Sequence, residues 1–272
     1  MAKHVHEPFA MRSVTSQDGA RIDYRELGEG LALVIMPGTA PSTSEESMPL
    51  ARRLADRFRV CIVDRRGRFG SDPQGSNYRL DKEVEDLEAI LDATGATRVF
   101  GHSAGAVIGL EAARRRRLDK LALYEPPHKL PDIAWLARFE QQLGKDPLSA
   151  TITLVRGLGI APEIDRVPDW LLKGLLRLRY VGAKRYRLAA LLPSVPAEVR
   201  AINSYDPQDF AEIDTDVLLM SGQRSPQFLQ NAFDHYVTLL PDCRVQRFPK
   251  LDHGGPNRAP NIVAEALRDF MS

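Results

Sequence analysis

The chain has 272 residues, 43% of them hydrophobic and 27% charged, with a formal net charge of +1. These are ordinary globular values, and the length suits one large domain or a core carrying an insertion. Nothing in the charge points to nucleic acid or an anionic membrane; no apolar run approaches the roughly 18 residues of a bilayer span, and the opening MAKHVHEPFAMR lacks the apolar centre of a secretion signal.

Cys61, between Val60 and Ile62, reads as a buried thiol, and Cys243, between Asp242 and Arg244, as a more exposed one. They make no disulfide framework, and the expectation is a cytoplasmic protein. His4 and His6 have a spacing compatible with a metal, but no third ligand accompanies them and a frayed terminus is preferred.

Phe9 to Thr15 and Ala20 to Arg25 flank Asp18-Gly19, which predicts an opening hairpin. Leu31 to Met36 (LALVIM) is a continuous apolar run, the pattern of a parallel strand covered on both faces. It ends at the turned loop Pro37-Gly38-Thr39-Ala40-Pro41, a place where open α/β sheets bind ligands. Glu45 to Phe58 reads as a helix and Val60 to Val63 as the next strand. The loop from Asp64 to Asp72 then holds Arg65, Arg66 and Arg68. Its two glycines and two aspartates favour an internally paired loop over a phosphate or nucleic-acid patch.

Leu80, Val84, Leu87 and Leu91 mark a helix that stops near Gly95. Arg98 to Phe100 follows as a short strand, and Ala104 to Ala113 begins a helix at once. Between them Gly101-His102-Ser103-Ala104-Gly105 has the Gly-x-Ser-x-Gly pattern of a nucleophile elbow, in which a serine sits on a sharp strand-to-helix turn. The glycines remove side chains that the folded-back backbone would strike. Arg114 to Arg117 closes that helix as a solvated basic end. Leu121 to Tyr124 is another strand, which delivers Glu125 before Pro126-Pro127.

From Lys129 to about Glu212 the strand and helix alternation gives way to helices, read as an insertion over the sheet. Its six Lys or Arg residues from Lys173 to Arg187 read as a solvated face. Trp170, Tyr180 and Tyr186 are equally suited to lining a cavity and to packing between helices. Alternation resumes with Val217 to Met220, a helix from Pro226 to about Leu239, the strand Arg244 to Phe248, the stretch Leu251-Asp252-His253-Gly254-Gly255 and a final helix from Asn261 to Phe270. A mostly parallel sheet flanked by helices follows.

In Ala20 to Leu130 and Asp216 to Met271 the chain resembles the alpha/beta-hydrolase fold superfamily, in its small capped branch. The resemblance implies a core of residues 1–128 and 213–272 with a helical cap at 129–212. It implies Ser103 as nucleophile, the amides of Thr39 and Ala104 as oxyanion hole, and His253 as base. The family's Asp-x-Arg-Gly-x-Gly-x-Ser loop appears as Asp64 to Ser71, with one extra residue between the glycines and none before the serine. Its usual His-Gly is replaced by Pro37-Gly38.

The acid departs further. Most such enzymes carry an aspartate in a Gly-x-x-Asp segment after the cap, where this chain has Gly222-Gln223-Arg224-Ser225. A subset takes its acid from the end of the strand after the nucleophile helix, the place of Glu125. Asp252 would have to curl back to reach the histidine ring, and Asp214 and Asp216 precede their strand at the wrong end of the sheet. The reading is a serine hydrolase of an ester, thioester or lactone of a small, largely apolar molecule, with Ser103, His253 and Glu125 as triad. The alternatives are a nonhydrolytic cyclase or lyase of the same fold, or a noncatalytic ligand-binding member. Neither His-Glu-x-x-His nor a dinucleotide fingerprint occurs, so no cofactor or metal is expected. The expected partner is a small-molecule substrate, without nucleic acid or membrane, and a homodimer is compatible with the sequence.

Overall fold

The computed structural model describes residues 8–39, 43–207, 210 and 213–272. His4 and His6 lie outside the described residues, as do Ala40 and Pro41 of the first loop.

The hairpin of β1 (Ala10–Thr15) and β2 (Arg21–Leu27) forms as predicted, with Gly19 at φ 86° in its turn. It pairs antiparallel with β4 (Phe58–Asp64) and so joins the edge of an otherwise parallel sheet. β3 (Leu31–Met36), β5 (Arg98–His102), β6 (Lys120–Tyr124), β7 (Asp216–Gly222) and β8 (Arg244–Phe248) complete the order β1-β2-β4-β3-β5-β6-β7-β8. This is an alpha/beta hydrolase fold.

LALVIM is apolar throughout because both of its faces are covered. Val34 and Met36 pack with α2 (Leu80–Thr94), α3 (Ala104–Arg115) and α9 (Gln227–Leu239). Leu33 and Ile35, pointing the other way, pack with α1 (Ser44–Leu54) and with α11 (Pro260–Met271), which follows the one-turn α10 (Gly255–Arg258). The helix read over Glu45 to Phe58 is shorter than expected. It ends at Leu54, because Phe58 pairs with Leu31 as the first residue of β4 and a turn must intervene.

Between β6 and β7 lie α4 (Trp135–Gln142), α5 (Pro147–Gly157), α6 (Asp169–Arg179), α7 (Ala183–Leu191) and α8 (Val195–Ser204). They share an apolar cluster of their own that includes Phe139, Leu148, Leu154, Leu188 and Val195. Ile202 of α8 packs on Ala104 and Val107, so the insertion rests on the start of α3.

The three arginines after β4 are buried and paired, but not by their own loop. Asp64 and Asp72 are engaged elsewhere, accepting from the Ser44 hydroxyl and the Arg21 amide. Arg66 instead forks onto Asp86 of α2 at 2.6 and 2.7 Å and onto Asp18 of the hairpin turn at 2.8 and 2.9 Å. Arg65 and Arg68 meet Glu83 and Glu198. The terminal run Arg114 to Arg117 pairs at the surface with Glu111, Asp81, Asp92 and Asp214.

The helix after the serine lies close against the central strand. A Cβ at Gly105 would collide with the Met36 carbonyl oxygen, and one at Gly101 would sit 2.5 Å from the Ala106 Cα. Gly105→Val is expected to lower unfolding stability by about 2 kcal/mol or more, because the colliding atom is strand backbone that cannot rotate away. Urea denaturation reads this, and an unchanged midpoint would contradict the contact.

Candidate active site

Every candidate side chain stands at the C-terminal end of a parallel strand, where an open α/β sheet leaves a crevice. β5 and β6 pair through His102 and Tyr124, so Ser103 and Glu125 are the next residues on adjacent strands. Each leaves its strand through a left-handed backbone, at φ 55° and 48°. That conformation costs a non-glycine residue on the order of 1–3 kcal/mol and survives only where the surroundings enforce it. Here the amides of Ser103 and Glu125 bond to the carbonyls of Tyr124 and Met220, which fixes both turns to neighbouring strands.

Glu125 is wholly buried. Its Oε1 accepts from the Gly222 amide at 2.8 Å, the Ser225 hydroxyl at 2.5 Å and the Ser221 hydroxyl at 3.2 Å. Its Oε2 lies 2.7 Å from His253 Nδ1. A carboxylate only accepts, so Nδ1 is the donor of this bond, and Nε2 is the nitrogen left to take a proton whenever the ring is neutral. Asp252 does not compete, since its carboxylate takes the Gly254 amide and Arg258. Asp214 and Asp216 pair with Arg117 and Lys120 at the far end of β7.

The loop carrying His253 is held by the residues that precede the serine and the glutamate. His102 Nε2 lies 2.9 Å from the His253 carbonyl, and the Tyr124 hydroxyl donates to the Asp252 carbonyl at 2.8 Å. Burial, reinforced by the nearby His253 ring, pushes the His102 imidazole down to about 3. It is therefore neutral at physiological pH, and its Nε2–H is the donor to that carbonyl. Adjacency to Ser103 and Glu125 was the sequence signal for these two supports. For the Ser225 contact the signal was a hydroxyl in the place where the resemblance expects an aspartate.

Ser103 and His253 line one cavity of about 550 Å³, together with Gly38 and Thr39. Among the described residues Ser103 Oγ makes no hydrogen bond to the protein, and neither the Thr39 nor the Ala104 amide donates to a protein acceptor. Two free amides thus stand beside a free hydroxyl, at the start of a helix whose terminal dipole favours negative charge. Leu130, Val155, Leu158, Ile160, Val199 and Phe228 supply the apolar wall, while Glu46, Arg179 and Arg258 are the charged groups on it.

Trp170, Tyr180 and Tyr186 do not line this cavity. Trp170 is 75% and Tyr186 81% exposed, and Tyr180 packs on the core of the inserted helices. Aliphatic residues of α5 and α8 line it instead. Among the described residues no group of three or more His, Cys, Asp or Glu side chains is placed to hold a metal ion, and no helix is long and apolar enough to cross a membrane.

Residues 33–266 match the model of the Alpha/beta hydrolase family. The crystal structure of an alpha/beta hydrolase from Sphaerobacter thermophilus is similar at a TM-score of 0.77 and 29% identity, over 96% of this chain and 100% of that one. The 2-(acetamidomethylene)succinate hydrolase of Mesorhizobium japonicum is 24% identical over 92% of this chain and 91% of its own length. The cis-3-alkyl-4-alkyloxetan-2-one decarboxylase of Shewanella oneidensis is 26% identical over 97% of this chain and 75% of its own length.

His102 binds fewer protons in the folded than in the unfolded chain between about 3 and the ordinary imidazole value of 6.5. Its burial therefore costs nothing above that window, and stability falls as pH drops through it. Between pH 7 and 4.5 the wild type is expected to lose about 2–3 kcal/mol more than His102→Gln, which cannot titrate. Urea unfolding at both pH values measures the difference, and parallel losses would contradict the neutral buried ring.

Proposed function

The chain belongs to the alpha/beta hydrolase family, and from that premise we propose that it is a serine hydrolase that cleaves an ester, thioester or lactone of a small, largely apolar molecule through an acyl-enzyme. One observation carries the reading: a buried, fully hydrogen-bonded Glu125 carboxylate orients His253 within the cavity that Ser103 also lines.

A serine hydroxyl is a weak nucleophile at neutral pH and needs a base. As Ser103 Oγ attacks the substrate carbonyl, its proton passes to His253 Nε2. The imidazolium that forms is stabilised by Glu125, which keeps its charge and takes no proton. The carbonyl π pair moves onto oxygen, and the amides of Thr39 and Ala104 receive the resulting oxyanion. In a studied serine enzyme one such donor is worth about 3 kcal/mol. Collapse expels the leaving alkoxide or thiolate, which takes the proton from Nε2. Water then repeats the sequence on the acyl-enzyme and releases the acid. Each step uses only protein groups and water.

The 550 Å³ cavity and its aliphatic wall support a small apolar substrate, and residues 129–212 act in this reading as a cap over the core of 1–128 and 213–272. The relatives' names span hydrolysis and decarboxylation, so the family alone does not choose the reaction. The choice of hydrolysis rests on the acid, base and hydroxyl arrangement. A cytoplasmic location fits a chain in which no described helix can span a membrane.

A small fluorophosphonate tests the proposal, read by intact mass and peptide mapping. One adduct on Ser103 is expected, largely lost in His253→Ala, and Ser103→Ala is expected to lower hydrolysis of a short-chain ester by about 10³-fold or more with unchanged circular dichroism. Labelling that ignores His253, or hydrolysis that survives in Ser103→Ala, would overturn it. A product retaining every substrate atom would indicate cyclase or lyase chemistry instead.

A further inference from the structure

The peptide joining Gly38 to Thr39 is gripped by two guanidinium groups that do not line the cavity. Arg65 and Arg68 each donate an Nη1 hydrogen to the Gly38 carbonyl, at 2.7 and 2.9 Å. A Cβ added to Gly38 would lie 2.9 Å from Ser103 Cβ, so the loop runs directly beside the serine. In a trans peptide the carbonyl and the following N–H point in opposite directions. Drawing the Gly38 carbonyl toward the guanidinium groups therefore turns the Thr39 N–H away from them.

One carboxylate from the inserted helices fixes both arginines. Glu198 of α8 accepts Arg68 Nη2 on its two oxygens at 2.8 and 2.9 Å and lies 3.1 Å from Arg65 Nη1. Gln74 donates to it at 3.2 Å. Arg65 is also held by the fork of Glu83 on α2, at 2.9 and 3.0 Å. The four charged side chains are fully buried and their charges balance. Burial alone would raise the Glu198 carboxyl, but Arg65 and Arg68 hold it below its ordinary range, so it remains a carboxylate. Buried ion clusters are a poor source of stability, since desolvation offsets much of their attraction. What this cluster provides is direction: a charged fork that reaches two acceptors at once has one orientation.

We propose that Glu198 is a positioning residue for the oxyanion-binding amide, setting the Gly38–Thr39 peptide through Arg68 and Arg65, so that the amide is aimed only while α8 is seated on the core. The proposal rests on the serine-hydrolase reading. The same helix lines the cavity through Val199 and Ile202, so its seating sets both a cavity wall and the arginine cluster.

Glu198→Gln keeps the shape and removes the charge, setting an amide N–H₂ against a guanidinium. With a short-chain p-nitrophenyl ester, kcat is expected to fall tenfold or more while KM stays within about threefold. An alkylboronic acid, whose tetrahedral adduct on Ser103 presents an oxygen to the hole, should lose affinity by a similar factor, while the carboxylic acid product binds as before. The pH midpoint of kcat/KM should not move, because the His253 and Glu125 pair is untouched. Arg68→Lys should give the same signature, since one ammonium cannot bridge the Gly38 carbonyl and Glu198, and it serves as the test if Glu198→Gln does not fold.

Wild-type kcat and boronate affinity in both variants would overturn the role of Glu198. So would equal losses of boronate and product binding with a shifted pH midpoint, which would mean a generally disturbed cavity. A wild-type protein that neither hydrolyses an ester nor binds the boronate would overturn the hydrolase reading, and this role with it.

Discussion

A carboxylate shut away from water must take all of its hydrogen bonds from the protein, and much of the architecture around the cavity satisfies that condition for Glu125. Three donors on β7 and the loop after it converge on one oxygen, and the His253 ring takes the other. Those contacts replace the water that a buried carboxylate gives up, and a carboxylate so held is the counter-charge an imidazolium needs. The chemistry proposed for the site therefore depends on Ser221, Ser225 and the Gly222 amide as much as on the glutamate itself.

The remaining supports follow from strand order. β5 and β6 are neighbours and end in register, so His102 and Tyr124 can both reach up to the loop after β8, one to each of two successive carbonyls. The residues beside Ser103 and beside Glu125 thus set the height and tilt of the His253 ring. A loop held by one backbone contact would pivot; two contacts from adjacent rigid strands prevent this. The left-handed turns at Ser103 and Glu125 are the local cost of projecting both side chains at one end of the sheet. On the other side of the cavity the Glu198 and arginine cluster directs the Gly38–Thr39 peptide in the same manner, by gripping carbonyl oxygens rather than side chains.

Much of this was legible in the sequence, for physical reasons that differ by element. LALVIM and the short apolar runs that follow it identify covered parallel strands, and Gly101 and Gly105 mark the close approach of helix to strand that the fold contains. Ser103 and His253 follow from motif order and Glu125 from the strand end that a subset of the superfamily uses, and the fold brings the glutamate and the histidine into contact. The rest depends on contacts between distant segments, which periodicity does not encode. The loop aspartates were expected to pair with Arg65, Arg66 and Arg68, yet the carboxylates come from α2, α8 and the hairpin turn, up to 130 residues away. Trp170 and Tyr186 carry no local mark that separates a cavity wall from an exposed face. Phe58 has the spacing of a helix residue but belongs to a strand because Leu31 is there to pair with it.

The most direct test of the account is the acylation rate of Glu125→Gln, followed in a single turnover with an activated ester and compared with wild type at equal substrate occupancy. The account predicts a fall of about 10²–10⁴-fold, with substrate affinity and secondary structure near those of wild type, because the imidazolium loses its counter-charge and the ring its fixed tautomer. An acylation rate equal to that of wild type would contradict it, and would show that the buried carboxylate on β6 takes no part in the chemistry at Ser103.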